Sequence, residues 1–188
     1  MRLFIALSVP DAARQRLAQM QRLVDELDLP LRTTRPEGLH LTLVFLGETR
    51  EERVPEIRAA MDAAAETVGP FPIALGELGV FPNLRGPRVL WAGLSGAVSA
   101  LALLHTRLAE RLGARGFAIE ERAFRPHVTL ARTRGEWSPA KLTALRELLS
   151  SNAAARESWQ AGEVHLVESR LHAEGAQYVT LYTSALKG

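Results

Sequence analysis

Short apolar runs and longer stretches of helical periodicity alternate along the chain. Leu3 to Val9 is an apolar run, interrupted only by Ser8 and ended by Pro10-Asp11, which predicts a buried first strand. Asp11 is expected to cap a helix whose apolar residues Leu17, Met20, Val24 and Leu27 recur at helical spacing. Leu39 to Leu46, bounded by Gly38 and Gly47, reads as a second strand, and Val54, Ile57, Met61, Ala64 and Val68 mark a second helix. Pro72 to Phe81 and Val89 to Leu94 predict a hairpin around the turn-rich loop of residues 82–87. A third helix carries Val98, Leu101, Leu104, Leu108 and Leu112, and the strand Pro126 to Arg132 follows the Gly113 and Gly116 breaks. Ser138 and Pro139 suit the N-cap and first position of a fourth helix bearing Leu142, Leu145 and Leu149. Two strands, Glu163 to Leu171 and Tyr178 to Leu186, close the chain around a turn at Glu174-Gly175.

Two passages stand in corresponding places, each a strand reading His, apolar, Thr, Leu, then a helix, then two strands. Residues 40–94 and 127–186 are therefore expected to be halves of a degenerate duplication. The pattern predicts an α+β fold of largely antiparallel strands with outer helices, in two pseudo-symmetric lobes around one cleft. Residues 1–188 would form one two-lobed domain. Side chains two apart on a strand share a face, so His40, Thr42 and Val44 point one way while Leu41, Leu43 and Phe45 point the other. By the same parity Phe45 is expected in the core, and His127 and Thr129 oppose Val128 and Leu130.

Composition narrows the classes. With 47% hydrophobic and 23% charged residues, the 188-residue chain is globular rather than disordered or fibrous. The 23 basic residues exceed the 21 acidic ones by only +2, so bulk charge does not argue for nucleic-acid binding. All the basic residues except Lys141 and Lys187 are arginine, the side chain that grips phosphate bidentately. Cysteine is absent, which excludes disulfides, a thiol nucleophile and cysteine-ligated metal. The opening apolar run lacks a small-residue cleavage site, and no run approaches the roughly 18 apolar residues of a membrane span. A cytoplasmic protein without membrane attachment is expected, and no obligate protein partner is apparent.

Paired histidine and threonine strands suit phosphate-ester cleavage without a metal or other cofactor. Imidazole titrates near neutrality, so one neutral histidine can activate water while a protonated one donates to the departing oxygen. Attack and departure at phosphorus are roughly in line, so strands facing each other across a cleft would set base and acid on opposite sides. Hydroxyls of Thr42 and Thr129 can donate to the non-bridging oxygens. Spacing alone does not say which histidine is which. The motifs of serine hydrolases, phosphate-binding loops and zinc helices are absent, and neither histidine strand carries a carboxylate at a comparable spacing to complete a metal site.

The passages Leu39-His40-Leu41-Thr42-Leu43-Val44-Phe45-Leu46-Gly47-Glu48 and Phe124-Arg125-Pro126-His127-Val128-Thr129-Leu130-Ala131-Arg132 resemble the paired His-x-Thr-x motifs of the two-histidine phosphoesterases. Within them the match is to the RNA 2′,3′-cyclic phosphodiesterases, historically called 2′-5′ RNA ligases. The opening Met1 to Pro10, Val80-Phe81-Pro82 through Val89-Leu90-Trp91, and Ser169-Arg170-Leu171 with Gly175 and Tyr178 extend the resemblance over nearly the whole chain. It implies hydrolysis of a terminal 2′,3′-cyclic phosphate to a 2′-phosphomonoester, with RNA ends or nucleoside 2′,3′-cyclic phosphates as partners. By motif position it implies His40 as proton donor, His127 as proton acceptor, and Thr42 and Thr129 on phosphoryl oxygens. It also places Arg132 at the phosphate, whereas strict alternation sends Arg132 away from His127 and makes Arg125 the candidate unless a bulge re-aims the strand. Thr33 departs from the aromatic residue that many relatives carry before the first motif.

Other residues have quieter readings. His105 sits on the third helix beside Leu101 and Leu108 and is expected to be a satisfied flank residue; His165 and His172 lie in or beside the last hairpin and are expected to be ordinary. Arg85 and Arg88 are expected to be solvated loop residues. The competing class is a non-catalytic RNA-end or nucleotide-binding module that uses the same cleft.

Overall fold

The computed structural model describes residues 1–151, 157–172 and 175–188, at His172 and Gly175 the backbone alone. Among the described residues, nine strands and four helices follow in the order β1 (Arg2–Ser8), α1 (Asp11–Glu26), β2 (Leu31–Thr33), β3 (His40–Glu48), α2 (Val54–Ala65), β4 (Phe71–Phe81), β5 (Val89–Gly96), α3 (Val98–Gly113), β6 (His127–Thr133), α4 (Pro139–Ser151), β7 (Ser158–Ala161), β8 (Glu163–His172) and β9 (Gly175–Ala185). Every pairing is antiparallel, and the strand order is β7-β4-β5-β6-β3-β1-β8-β9, with β2 also paired to β6.

The apolar run of β1 is buried on both faces, which is why it does not alternate. Leu3, Ile5 and Leu7 join the main core with the apolar stripes of all four helices, while Phe4 and Ala6 form a second cluster with Val167 under Tyr178. One face of the sheet is thus covered by helices. The other carries the histidines.

Most predicted elements are present. Ser138 accepts from the Lys141 backbone N–H at 3.3 Å ahead of Pro139, as an N-cap does. Asp11, in contrast, is the first residue of α1 rather than its cap; Pro10 holds the N-cap position, and no side chain caps that end. Strands β2 and β7 have no counterpart in the sequence pattern, being too short to show a period. The final turn falls on Glu174, outside the described residues.

The repeat starts one strand and one helix earlier than the motif spacing suggests. β3 lies beside β1, the strand that leads into α1, and β6 lies beside β5, the strand that leads into α3. Outward from those pairs β1 takes β8 and β5 takes β4. The succession β1-α1-β3-α2-β4 is therefore retraced by β5-α3-β6-α4-β8, and the 40–94 division fails because β5 is internal whereas β9 is an edge. The local twofold falls between β3 and β6, so the two histidine strands meet at the centre of the sheet.

Candidate active site

The meeting of β3 and β6 is a single pair, Leu41 opposite Val128, one residue past each histidine. Extending that antiparallel register sets His40 across from Thr129 and Thr42 across from His127. Leu41 and Val128 are fully buried on the helix side, so the four polar residues share the opposite, partly exposed face. Neither threonine hydroxyl makes a hydrogen bond among the described residues, which leaves both free to donate.

Each imidazole is held in the same way. His40 Nδ1–H donates to the Gly38 carbonyl at 2.7 Å, and His127 Nδ1–H donates to the Arg125 carbonyl at 2.7 Å. A carbonyl can only accept, so the proton of each neutral ring sits on Nδ1 and Nε2 is left to exchange protons with a ligand. Aromatic rings fix the planes. Phe4 stacks on His40 with centroids 4.6 Å apart and Tyr178 meets it edge-on at 5.1 Å; Phe81 meets His127 edge-on at 5.1 Å, with Trp91 at 6.3 Å. Burial pushes the His40 imidazole down to about 4; its bond to Gly38 opposes this, and the positive charges of Arg132, His127 and Arg14 add to it.

A bulge decides which arginine reaches the cleft. Trp91 pairs with Thr129 but Leu90 with Ala131, so Leu130 is an extra residue in β6. Leu130 and Ala131 are both fully buried, and Arg132 is returned to the face of His127 and Thr129. Arg132 lies in one cross-strand row with Val89 and Phe81, whose ring faces His127. Arg125 precedes β6; its exposed side chain makes no bond among the described residues, and it serves His127 through its carbonyl.

The same device overturns the expectation for Phe45. Ile5 pairs with Val44 and Ala6 with Thr42, so Leu43 is extra in β3, and Leu43 and Val44 are both buried. Phe45 is therefore turned to the cleft face, 55% exposed, with its ring 6.1 Å from Phe4. Five residues after its histidine, it matches Arg132 after the other. The readable signal is the pair of doublets Leu43-Val44 and Leu130-Ala131, which break the alternation.

Gln21 escapes the sequence reading entirely. This buried side chain of α1 donates to the carbonyls of Thr34 at 2.7 Å and Leu130 at 2.9 Å, clamping the bulge from below. Thr33 pairs with core residue Ala131 and so lies away from the cleft face. His105 stacks on Phe124 at 4.1 Å as a half-buried flank residue, and Arg85 and Arg88 are exposed. His165 bonds Thr183 Oγ1 at 2.9 Å and lines a pocket adjoining His40, while its Nε2 is buried without a partner. His172 lies outside the described side chains.

A cleft with two histidine and threonine strands related by a twofold defines the two-histidine class of phosphoesterase. The sequence profile of the 2′-5′ RNA ligase superfamily matches residues 9–173, and the chain belongs to that family. It is 34% identical over 168 residues to the RNA 2′,3′-cyclic phosphodiesterase of Aeropyrum pernix, covering 89% of this chain and 93% of that one. A protein of the same name from Thermus thermophilus is 34% identical, covering 100% of this chain and 91% of the relative. Among solved structures, TT0787 of Thermus thermophilus superposes with a TM-score of 0.80 at 30% identity, covering 100% and 99% of the two chains. Escherichia coli LigT complexed with 3′-AMP gives 0.76 at 23% identity, covering 100% and 98%, a likeness of fold. No helix among the described residues is long and apolar enough to cross a membrane.

Proposed function

We propose that the chain hydrolyses the 2′,3′-cyclic phosphate at an RNA end to a 2′-phosphomonoester, with no metal. The observation that carries this reading is the Leu41–Val128 pair, which brings two imidazoles and two free hydroxyls to one face about a twofold. A cyclic phosphate over that pair has an Nε2 on either side. His127 accepts a proton from water as its oxygen bonds to phosphorus. The bond from phosphorus to the 3′ oxygen breaks on the far side, and His40 supplies the proton that oxygen needs. Thr42 and Thr129 donate to the non-bridging oxygens, and Arg132 holds the charge that builds there.

In the free enzyme His40 is neutral at pH 7. A bound phosphate anion offsets the cations around His40 and favours its protonated form, so the acid is armed by the substrate. Exposed Phe45 offers its face to the terminal base. A 5′ hydroxyl in place of water would run the reverse joining to a 2′-5′ linkage. An RNA substrate accords with the cytoplasmic location expected from the sequence.

Turnover of a nucleoside 2′,3′-cyclic phosphate in excess EDTA, with the product isomer identified, tests the reading. Wild-type protein is expected to give the 2′-phosphate, and His40→Ala or His127→Ala to lose roughly 10²- to 10⁴-fold in rate with the fold retained. Saturable binding without product would make the chain a binding module instead.

A further inference from the structure

Arg32 of β2 pairs directly with Arg132 of β6. Residues directly opposite in an antiparallel pair share a face, with Cα atoms roughly 4.5–5.5 Å apart. The cleft face thus carries a second guanidinium beside the one aimed at the reacting phosphate. Both side chains are exposed, and among the described residues neither makes a hydrogen bond or ion pair. Like charges placed opposite each other on a sheet destabilise it. The strand cannot relieve this by turning over, because Leu31 is buried, Thr33 is paired to Ala131, and Gln21 fixes the carbonyl of Thr34.

The two arginines are not equivalent with respect to His40. The cations that act on that imidazole are Arg132, His127 and Arg14. Arg32 stands one strand away on β2, across from Arg132 rather than beside His40. Along β6 the order is His127, Thr129, the bulge, then the arginine pair, which puts Arg32 past the reacting phosphate and beyond the start of β3. An anion there is one a nucleoside cyclic phosphate does not possess.

Resting on the phosphodiesterase reading, we propose that Arg32, beside Arg132, binds the next phosphate of the RNA strand, so that the site selects oligonucleotide ends over mononucleotides. A charge-assisted contact of this kind raises affinity about tenfold. It adds nothing for a substrate with only the cyclic phosphate.

The test compares a mononucleoside 2′,3′-cyclic phosphate with a dinucleotide carrying the same terminus. For Arg32→Gln, KM for the dinucleotide is expected to rise about tenfold with kcat unchanged, and both constants for the mononucleotide to stay at the wild-type value. The fall of log kcat/KM with log salt is expected to be shallower by about 0.7 for the dinucleotide alone. Arg32→Lys keeps the charge and is expected to keep that slope. A dinucleotide with an uncharged methylphosphonate linkage probes the wild-type protein directly and is expected to lose the same tenfold. Equal losses on both substrates, or an unchanged KM for the dinucleotide, would overturn the proposal. Failure of wild-type protein to turn over either substrate would instead sink the phosphodiesterase reading.

Discussion

At the scale of single residues, the site works by leaving polar groups unspent. The threonines of the two histidine strands make no hydrogen bond among the described residues, and each histidine commits only Nδ1, to a carbonyl 2.7 Å away. Replacing Thr42 or Thr129 by Val keeps the β-branched shape while deleting the hydroxyl that, in the proposed mechanism, donates to a phosphoryl oxygen. Loss of one preorganised donor is expected to lower kcat by about 10²-fold, with melting temperature nearly unchanged because neither hydroxyl bonds to protein. Steady-state kinetics and thermal melts on the two variants check this. A variant that melts early while turning over normally would assign its hydroxyl to the scaffold.

At the scale of elements, two bulges do what alternation alone forbids. Without Leu130 as an extra residue, Arg132 would face the helices and Phe45 would be a core side chain but for Leu43. Gln21 spans from α1 to the Leu130 carbonyl, so the helix sets the strand's kink. Gln21→Leu leaves the buried Leu130 carbonyl and the part-buried Thr34 carbonyl without this donor, the first still bonded to the Thr34 N–H at 2.7 Å. A stability loss of about 1–3 kcal/mol is expected, together with a lower kcat as Arg132 loses its aim, and denaturant unfolding beside kinetics measures both. Loss of stability with wild-type kcat would show that the bulge holds without its clamp.

Which elements can be read in advance follows from their physics. The histidine and threonine pairs are legible because parity on a strand is local, and the helices because their apolar stripes are long. The direction of Arg132 and Phe45 is not, because a bulge shows only as an apolar doublet whose meaning depends on the partner strand's register. β2 spans three residues and exists by pairing with β6, about a hundred positions away. Nothing within Leu31–Thr33 reports that partner, so Arg32 stays invisible until the sheet order is known.

At the scale of the whole molecule, the fold stores its electrostatics in the free enzyme's His40. Its imidazole is held at about 4, mainly by burial, against an ordinary value near 6.5. A depressed value means that folding favours the neutral ring, a contribution complete above pH 6.5 and lost as pH falls toward 4. The shift corresponds to on the order of 3 kcal/mol, so unfolding free energy is expected to drop over that window, and less so in His40→Phe, which keeps a ring against Phe4. In the proposed mechanism catalysis reports the same group. If one imidazole must be neutral and the other charged, kcat/KM is bell-shaped, and either assignment of roles gives the same curve. Its acidic limb is expected near pH 4 for the free enzyme, while the limb of kcat lies higher because the bound phosphate anion favours imidazolium. A substrate whose leaving group needs no proton is expected to rescue His40→Ala but not His127→Ala, which assigns the acid. An acidic limb of kcat/KM near 6.5 would show that the aromatic nest does not depress His40, and rescue of His127→Ala would reverse the two roles.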